Sequence, residues 1–300
     1  MPSEPHAGPP WTILKLLRWT TAYFQDCVPE NPRMDAEIML AHTLGCRRLD
    51  LYLHHDQPLD ENELTRFRDL VKRRANREPT AYILGYKEFW SLQLKVTRDV
   101  LIPRPDTECL VETVLQTLAA QQFAGRDRLL ELGVGSGAIS MALAKEKPDL
   151  NIIAGDISPS AVAVAHHNAR QHHLDHQIQF FAGNWMGPLK RSTDLFDLIV
   201  SNPPYIAFSD LSQLAPEITN HEPVQALDGG PDGMQCITVL IQTASDYLKP
   251  GGCLILEMGY DQKSLVEIVA HGCTQYDEVF FQKDYAGHHR VVRLRKGCNP

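Results

Sequence analysis

Residues 129–140 read Leu129-Leu130-Glu131-Leu132-Gly133-Val134-Gly135-Ser136-Gly137-Ala138-Ile139-Ser140. A short apolar run enters a glycine-dense turn and a helical pattern leaves it, so a strand, a tight loop and a helix N-terminus are expected in succession. Glycine admits positive φ and lets a ligand lie against bare backbone. A helix N-terminus carries partial positive charge. Gly133, Gly135 and Ala138 occupy the three small positions of a dinucleotide-type loop. Downstream, Asn151-Ile152-Ile153-Ala154-Gly155-Asp156 is a second apolar run that ends on a carboxylate. Its spacing suits an acid that takes a ribose hydroxyl pair. These two pieces specify an adenosine-type nucleoside and leave NAD and S-adenosylmethionine equally open.

The pattern around them alternates. Helices are expected over 106–120, 138–147, 233–248 and 261–271, and one from Ser158 (N-cap) and Pro159 (N1) to about residue 171. Strands are expected over 128–132, 151–156, 178–182, 196–201, 253–257, 278–282 and 289–294. Strands separated by helices predict an α/β domain with a doubly wound, mainly parallel sheet. The stretch 206–232 reads as irregular and is too long for an ordinary connection, which marks it as functional. Ahead of this domain, residues 11–77 read all-helical. Met34, Ile38, Met39 and Leu44 form one stripe closed by Gly45, and Asp60 with Glu63 resembles a capping box for another. Lys87–Val96 alternates as a β-hairpin would. The expected organisation is a disordered Pro-rich leader (1–10), a helical domain (11–84), a hairpin linker (85–104) and the α/β domain (105–300).

The choice of cofactor comes from Ser201-Asn202-Pro203-Pro204-Tyr205, directly after the apolar run Phe196–Val200. Two prolines cannot donate to a ladder, so the strand must stop, and Asn202 is pushed out of the helical region. A stiff turn then presents an amide, carbonyls and an aromatic ring at the carboxyl edge of the sheet, where ligands bind in open α/β folds. The Asn202 side-chain oxygen and the Pro203 carbonyl can each accept one N–H of a planar nitrogen, with the Tyr205 ring on its face. A Pro-Pro turn by itself is usually only a rigid turn. Beside a nucleoside loop it points to transfer onto an amino or amide nitrogen, which a hydride-transfer enzyme does not need.

Composition removes other classes. The 300 residues are 43% hydrophobic and 22% charged, ordinary for a soluble globular protein. No apolar stretch approaches bilayer length, so no membrane association is expected. Seven scattered cysteines without a CxxC read as reduced thiols of a cytoplasmic protein. His166-His167 and His172-His173 fall on an expected surface helix without convergent acids, so no metal site is expected. Residues 1–98 carry 14 Lys and Arg against 13 Asp and Glu, whereas residues 99–300 carry 15 against 24. An acidic catalytic half is a poor match for gripping DNA phosphates. The basic run Lys72–Arg77 reads first as a solvated helix face.

Further stretches narrow the reading: Arg77-Glu78-Pro79, Glu88-Phe89-Trp90, Leu101-Ile102-Pro103-Arg104-Pro105-Asp106-Thr107-Glu108, Glu222-Pro223, Ala226–Gly233, and Asp284-Tyr285-Ala286-Gly287 with Arg290. With them the chain resembles, close to full length, the release factor glutamine methyltransferases of the PrmC/HemK type. The resemblance implies a seven-stranded Rossmann-like methyltransferase sheet behind a small all-α domain that engages the protein substrate. It implies methyl transfer from S-adenosylmethionine, with S-adenosylhomocysteine as product, to the glutamine amide nitrogen in the Gly-Gly-Gln motif of class 1 peptide-chain release factors. By position, Gly133, Val134, Gly135, Ser136 and Gly137 would line the cofactor, Asp156 would hold its ribose and Trp185 would flank its adenine. Asn202, Pro203, Pro204 and Tyr205 would hold the substrate amide, with Asn202 also near the cofactor. Two departures from the family pattern are Val134, where Thr is common, and Asn184, where an acid is common. Rival readings are a ribosomal-protein glutamine methyltransferase, disfavoured by Pro105–Glu108, and an adenine-N6 nucleic-acid methyltransferase, disfavoured by the acidic catalytic half.

Overall fold

The computed structural model describes residues 10–28, 30–120, 127–192 and 195–298. The expected leader, but for Pro10, lies outside them. Two units are present. One comprises the chain up to Gly85 together with Pro216–His221, and the other Tyr86–Ala215 with Glu222 onward.

In the first unit, α1 (Ile13–Cys27) is capped by the Thr12 side chain and buries Ile13, Leu16, Leu17, Thr20 and Phe24, a stripe at helical spacing. Helix α2 (Pro32–Leu44) stops at Gly45, whose φ of 65° is left-handed. Helix α4 (Glu61–Ala75) follows α3 (Arg48–Leu53) and opens on the expected capping box of Asp60 and Glu63. Helix α5 (Thr80–Leu84) ends at Gly85. Phe24, Met39, Leu40, Leu51 and Phe67 form the centre of its core. Buried Arg74 pairs with Asp35 at 2.8 Å and with Glu217 at 2.9 Å, and Arg77 holds the other oxygen of Glu217 at 2.7 Å. Glu217 belongs to the short helix 216–221, far along the chain.

The second unit opens with the hairpin β1 (Tyr86–Phe89) and β2 (Leu92–Lys95), turned through Trp90 and Ser91 at φ 50° and 54°. Then come α6 (Glu108–Ala120), β3 (Arg128–Leu132), α7 (Ala138–Glu146), β4 (Asn151–Asp156), α8 (Pro159–Gln171), β5 (Ile178–Ala182) and β6 (Phe196–Ser201). After α9 (Pro216–His221, part of the first unit) follow α10 (Gln235–Ala244), β7 (Leu248–Glu257), α11 (Lys263–His271), β8 (Tyr276–Lys283) and β9 (His289–Lys296). The sheet order is β5-β4-β3-β6-β7-β9-β8, parallel except for the pairs made by β9. This is the doubly wound, mainly parallel seven-stranded sheet read from the sequence. Successive strand residues face opposite layers. Leu129, Leu198 and Ile255 pack with α6, α7 and α8, and Leu130, Ile199 and Leu254 with α10 and α11. Sequence order reverses between β3 and β6, which makes a crevice at their carboxyl ends.

Three expectations need correction. The run Lys72–Arg77 is not a solvated face throughout, because Arg74 is buried on Asp35 and Glu217. The stretch 206–232 is not irregular throughout: it contains short helical turns at 208–213, 216–221 and 224–226. The seventh-strand region begins at Leu248, not Cys253, and α10 ends at Ala244, because Leu248 already pairs with Phe196 before the register shifts to Leu198 opposite Cys253.

Candidate active site

Strands β3 and β6 run in register with Leu132 opposite Ser201, so the glycine loop and the Asn-Pro-Pro-Tyr turn leave the sheet side by side. The Ser201 hydroxyl donates to the Leu132 carbonyl at 2.7 Å and ties the strand ends together. Gly133 turns at φ 74°, and a Cβ there would stand 3.8 Å from the Asn202 carbonyl oxygen. Gly137, at φ 84°, is the N-cap of α7, and a Cβ there would lie 2.9 Å from the Met141 methyl carbon. Across the loop, Asp156 at the end of β4 accepts Gly135 N–H on one oxygen and Ser158 N–H on the other, each at 2.9 Å. A carboxylate has four acceptor positions, so two remain for a ligand. These groups open on one cavity of about 540 Å³ that also takes in Asn184, Trp185, Asn202 and Pro204.

The Asn-Pro-Pro-Tyr turn is braced from both sides. Asn202 Nδ2 donates to Thr107 Oγ1 at 3.2 Å, so the Oδ1 end is turned away from Thr107. Pro203 is buried. The Tyr205 hydroxyl donates to Glu257 Oε1 at 3.1 Å, and burial raises its phenol far above the usual range. Beyond it, Gln262 Nε2 donates to the Tyr205 carbonyl at 2.9 Å and to the Gly233 carbonyl at 3.2 Å. Ile206 N–H donates to the Leu227 carbonyl at 3.1 Å, and Gly229 N–H donates to the Ile206 carbonyl at 2.8 Å. The Ala226–Gly233 run is thus a small backbone clasp on the turn.

Two carboxyls of the sheet are buried, one lining the cavity and one bonded to Tyr205. Glu131, in the middle of the Leu-Leu-Glu-Leu strand, is pushed up to about 8 by burial, against a hydrogen bond from Ser140. Its Oε1 has no hydrogen-bond partner, and the residue lines the cavity. Glu257, at the end of β7, is pushed up to about 7 by burial, against the hydrogen bond from Tyr205 and the charge of Arg290. At the rim, Arg104 pairs with buried Glu222, which also accepts Ile102 N–H at 3.1 Å.

Known proteins resemble this chain along most of its length. Residues 15–85 match the PrmC N-terminal domain, and residues 125–294 a methyltransferase domain. A release factor glutamine methyltransferase of Geobacter sulfurreducens is 43% identical over 96% of this chain and 98% of its own. Another, from Rhodopirellula baltica, is 38% identical over 96% and 97%. The chain belongs to the release factor glutamine methyltransferase family. Among solved structures, the hMettl16 catalytic domain in complex with a MAT2A 3′UTR hairpin matches at a TM-score of 0.55 over 77% of this chain and 81% of that one. Its 15% identity makes this a likeness of fold alone.

Of the residues expected in this glutamine methyltransferase site, Gly133, Val134, Gly135, Ser136, Asp156, Trp185, Asn202 and Pro204 line the cavity. Gly137, Pro203 and Tyr205 are not among the lining residues: Gly137 caps α7, Pro203 is buried and the Tyr205 hydroxyl is engaged by Glu257. Thr107, Glu131, Glu257 and Gln262 were not singled out from the sequence. For the two glutamates a signal existed, since each is a lone acid in an apolar strand. Thr107 and Gln262 carry no such mark. Among the described residues no group of His, Cys, Asp and Glu could hold a metal, and no helix is long and apolar enough to cross a membrane.

Proposed function

We propose that this enzyme transfers the methyl group of S-adenosylmethionine to the side-chain amide nitrogen of the glutamine in the Gly-Gly-Gln motif of a class 1 peptide-chain release factor. Family membership supports the reaction. The observation that carries the assignment of the site is the register of β3 and β6, which sets the Gly133 turn against Asn202 at the edge of one cavity.

The residues present suit the cofactor. The cavity volume is that of a small-molecule site. Gly133–Gly137 offer bare backbone ahead of α7, Asp156 keeps acceptor positions for ribose hydroxyls, and the orphaned Glu131 Oε1 is a polar atom in need of a partner. Trp185 would flank the adenine, and Asn184 can accept from its amine. When bound, S-adenosylmethionine supplies an electrophilic methyl group on a sulfonium.

The protein's part is to make a poor nucleophile attack. An amide lone pair is delocalised into its carbonyl. Asn202 Oδ1 and the Pro203 carbonyl would accept the two N–H hydrogens, draw density onto nitrogen and hold it in line, which is positioning plus electrostatics. No strong base need act before attack, and the excess proton can leave to water. Pro204 and the Tyr205 ring would shape the slot for the planar amide. The helical domain (11–84) would dock the release factor, with the hairpin (85–104) as its link to the catalytic domain (105–300). The activity belongs in the cytoplasm, where translation terminates.

Asn202→Ala tests the assignment. Single-turnover transfer from labelled S-adenosylmethionine to a class 1 release factor, read by mass spectrometry of the Gly-Gly-Gln peptide, should slow by roughly 10²-fold or more. Cofactor affinity should change far less. Near-normal transfer would mean that the turn is only structural.

A further inference from the structure

Neither Pro203 nor Pro204 has an N–H, so neither can be tied down as a donor, and the substrate clamp relies on anchors at its two ends. The incoming end is tied by the Ser201 hydroxyl on the Leu132 carbonyl at 2.7 Å. At the outgoing end, Ile206 N–H donates to the Leu227 carbonyl at 3.1 Å, and the Tyr205 carbonyl accepts Gln262 Nε2 at 2.9 Å. The same Nε2 donates to the Gly233 carbonyl at 3.2 Å, while Gln262 Oε1 accepts Gly259 N–H at 2.8 Å. Gln262 is 7% exposed and lies outside the residues lining the cavity. Turned over, its amide would set an oxygen against two carbonyls and an NH2 against an N–H, so only one orientation fits. Glycines make the room. A Cβ on Gly233 would stand 2.4 Å from the Tyr205 oxygen and 2.7 Å from Gln262 Nε2, and one on Gly259 would stand 3.0 Å from Gln262 Oε1. The start of α11 does not need this amide: the Gln262 backbone carbonyl accepts Val266 N–H at 3.0 Å, and the side chain makes no capping bond.

We propose that Gln262 is a positioning residue for methyl transfer: its NH2 staples the Tyr205 carbonyl to the Gly233 carbonyl, and by fixing the outgoing end of the Asn-Pro-Pro-Tyr turn it aims the Pro203 carbonyl and the Tyr205 ring at the target amide. The inference rests on the reading of the clamp given above and adds to it a residue outside the cavity. The rings of Pro203 and Pro204 already set their φ angles. Once the peptide plane after Tyr205 is fixed as well, few torsions remain through which the Pro203 carbonyl can swing. Two carbonyl oxygens that accept from one NH2 converge with like partial charge. Without that donor they repel, and buried carbonyls are left without a partner. The Tyr205 hydroxyl is held separately on Glu257 at 3.1 Å. Loss of Gln262 would thus free the backbone end of Tyr205 while its far end stays anchored, tilting the ring and turning the acceptor out of line.

The test compares two variants of the full chain, with a class 1 release factor and labelled S-adenosylmethionine. Gln262→Met keeps the length and removes all three bonds. Gln262→Glu keeps the acceptor for Gly259 N–H and spoils only the staple: ionised, it sets a second oxygen against the two carbonyls, and protonated, it can donate to one of them alone. Each should slow single-turnover transfer at saturating release factor roughly 10- to 100-fold, the scale of a misaimed acceptor. Calorimetric affinity for S-adenosylmethionine should stay within about threefold of wild type, which also shows that the cofactor half is folded. Full-rate transfer by Gln262→Met overturns the proposal. A slow Gln262→Met beside a full-rate Gln262→Glu also overturns it, because the side chain would then serve only the Gly259 loop. So does a loss of cofactor affinity as large as the loss of rate in both variants, the mark of general disruption. A slow Asn202→Ala beside full-rate Gln262 variants overturns the positioning role and leaves the clamp standing. A fast Asn202→Ala overturns the reading of the clamp and this inference with it.

Discussion

Asp156→Asn is a sharper probe of the cofactor loop than Asp156→Ala. Wild-type Asp156 spends one lone pair of each oxygen on a backbone N–H, Gly135 on one side and Ser158 on the other, both at 2.9 Å. The remaining two acceptor positions are those assigned to the ribose hydroxyls. Asparagine has one acceptor oxygen and an NH2 that only donates. Whichever way it turns, the NH2 faces either Gly135 N–H or Ser158 N–H, donor against donor. One ribose contact and one backbone contact are lost together. A hydrogen bond to a charged group is worth about 1.5–3 kcal/mol, so S-adenosylmethionine affinity should fall by about 10²-fold in calorimetry. Alanine removes both acceptor oxygens but brings no opposing donor, and Gly135 and Ser158 are only half-buried, so water can take its place. It should weaken binding by a similar factor while disturbing the empty loop less. In thermal unfolding without cofactor, Asp156→Asn should therefore melt below Asp156→Ala. Affinity within threefold of wild type for both variants would refute the assignment. Asp156→Asn melting at or above Asp156→Ala would refute the tether argument.

Other expectations follow from buried charge and close backbone approach. Because burial raises the Glu131 carboxyl to about 8, the folded state holds a proton that the unfolded chain releases. Stability should thus fall as pH rises from the ordinary carboxylate range to about 8, by at most about 1.4 kcal/mol per pH unit, and level off above. Glu257 acts in the same direction only up to about 7, so urea titrations between pH 7 and 8 isolate Glu131, and Glu131→Gln should flatten that interval. Gly229→Ala would bring a Cβ to 2.7 Å from the Gly233 oxygen and 2.8 Å from Tyr205 Cα, both backbone. It should destabilise by about 1–3 kcal/mol and depress turnover more than cofactor affinity, as steady-state kinetics beside calorimetry would show. Glu217→Ala should cost roughly 1–3 kcal/mol in urea unfolding, since Arg74 then keeps only Asp35 as a charged partner.

The parallel strands were legible because they are buried on both faces. Their apolar runs end where β3, β4, β5 and β6 end, and Ser158-Pro159 opens α8 as expected. The helices α3 and α5, of six and five residues, span too little chain for a period to emerge, so they passed unread. Lys249-Pro250-Gly251-Gly252 carries turn chemistry yet lies inside β7, since the pairing of Leu248 with Phe196 overrides it. At the site, the lining residues could be read because glycine and proline constrain the backbone wherever they occur. What stands behind them could not. Thr107, Glu257 and Gln262 matter through contacts across the fold, and local sequence records no such distance.

The placement of α9 bears on how this enzyme could be recombined. The helical unit is not one run of sequence but two, because Pro216–His221 is donated to it from within the catalytic half. An exchange of the N-terminal cassette alone would leave the new helices facing a foreign Glu217, with no guarantee of arginines at the places of Arg74 and Arg77. A splice that carries 216–221 along with residues up to 85 moves both halves of that lock. Grafting a new substrate preference onto this scaffold therefore takes three crossovers in the gene, one after Gly85 and two that bracket the six codons 216–221.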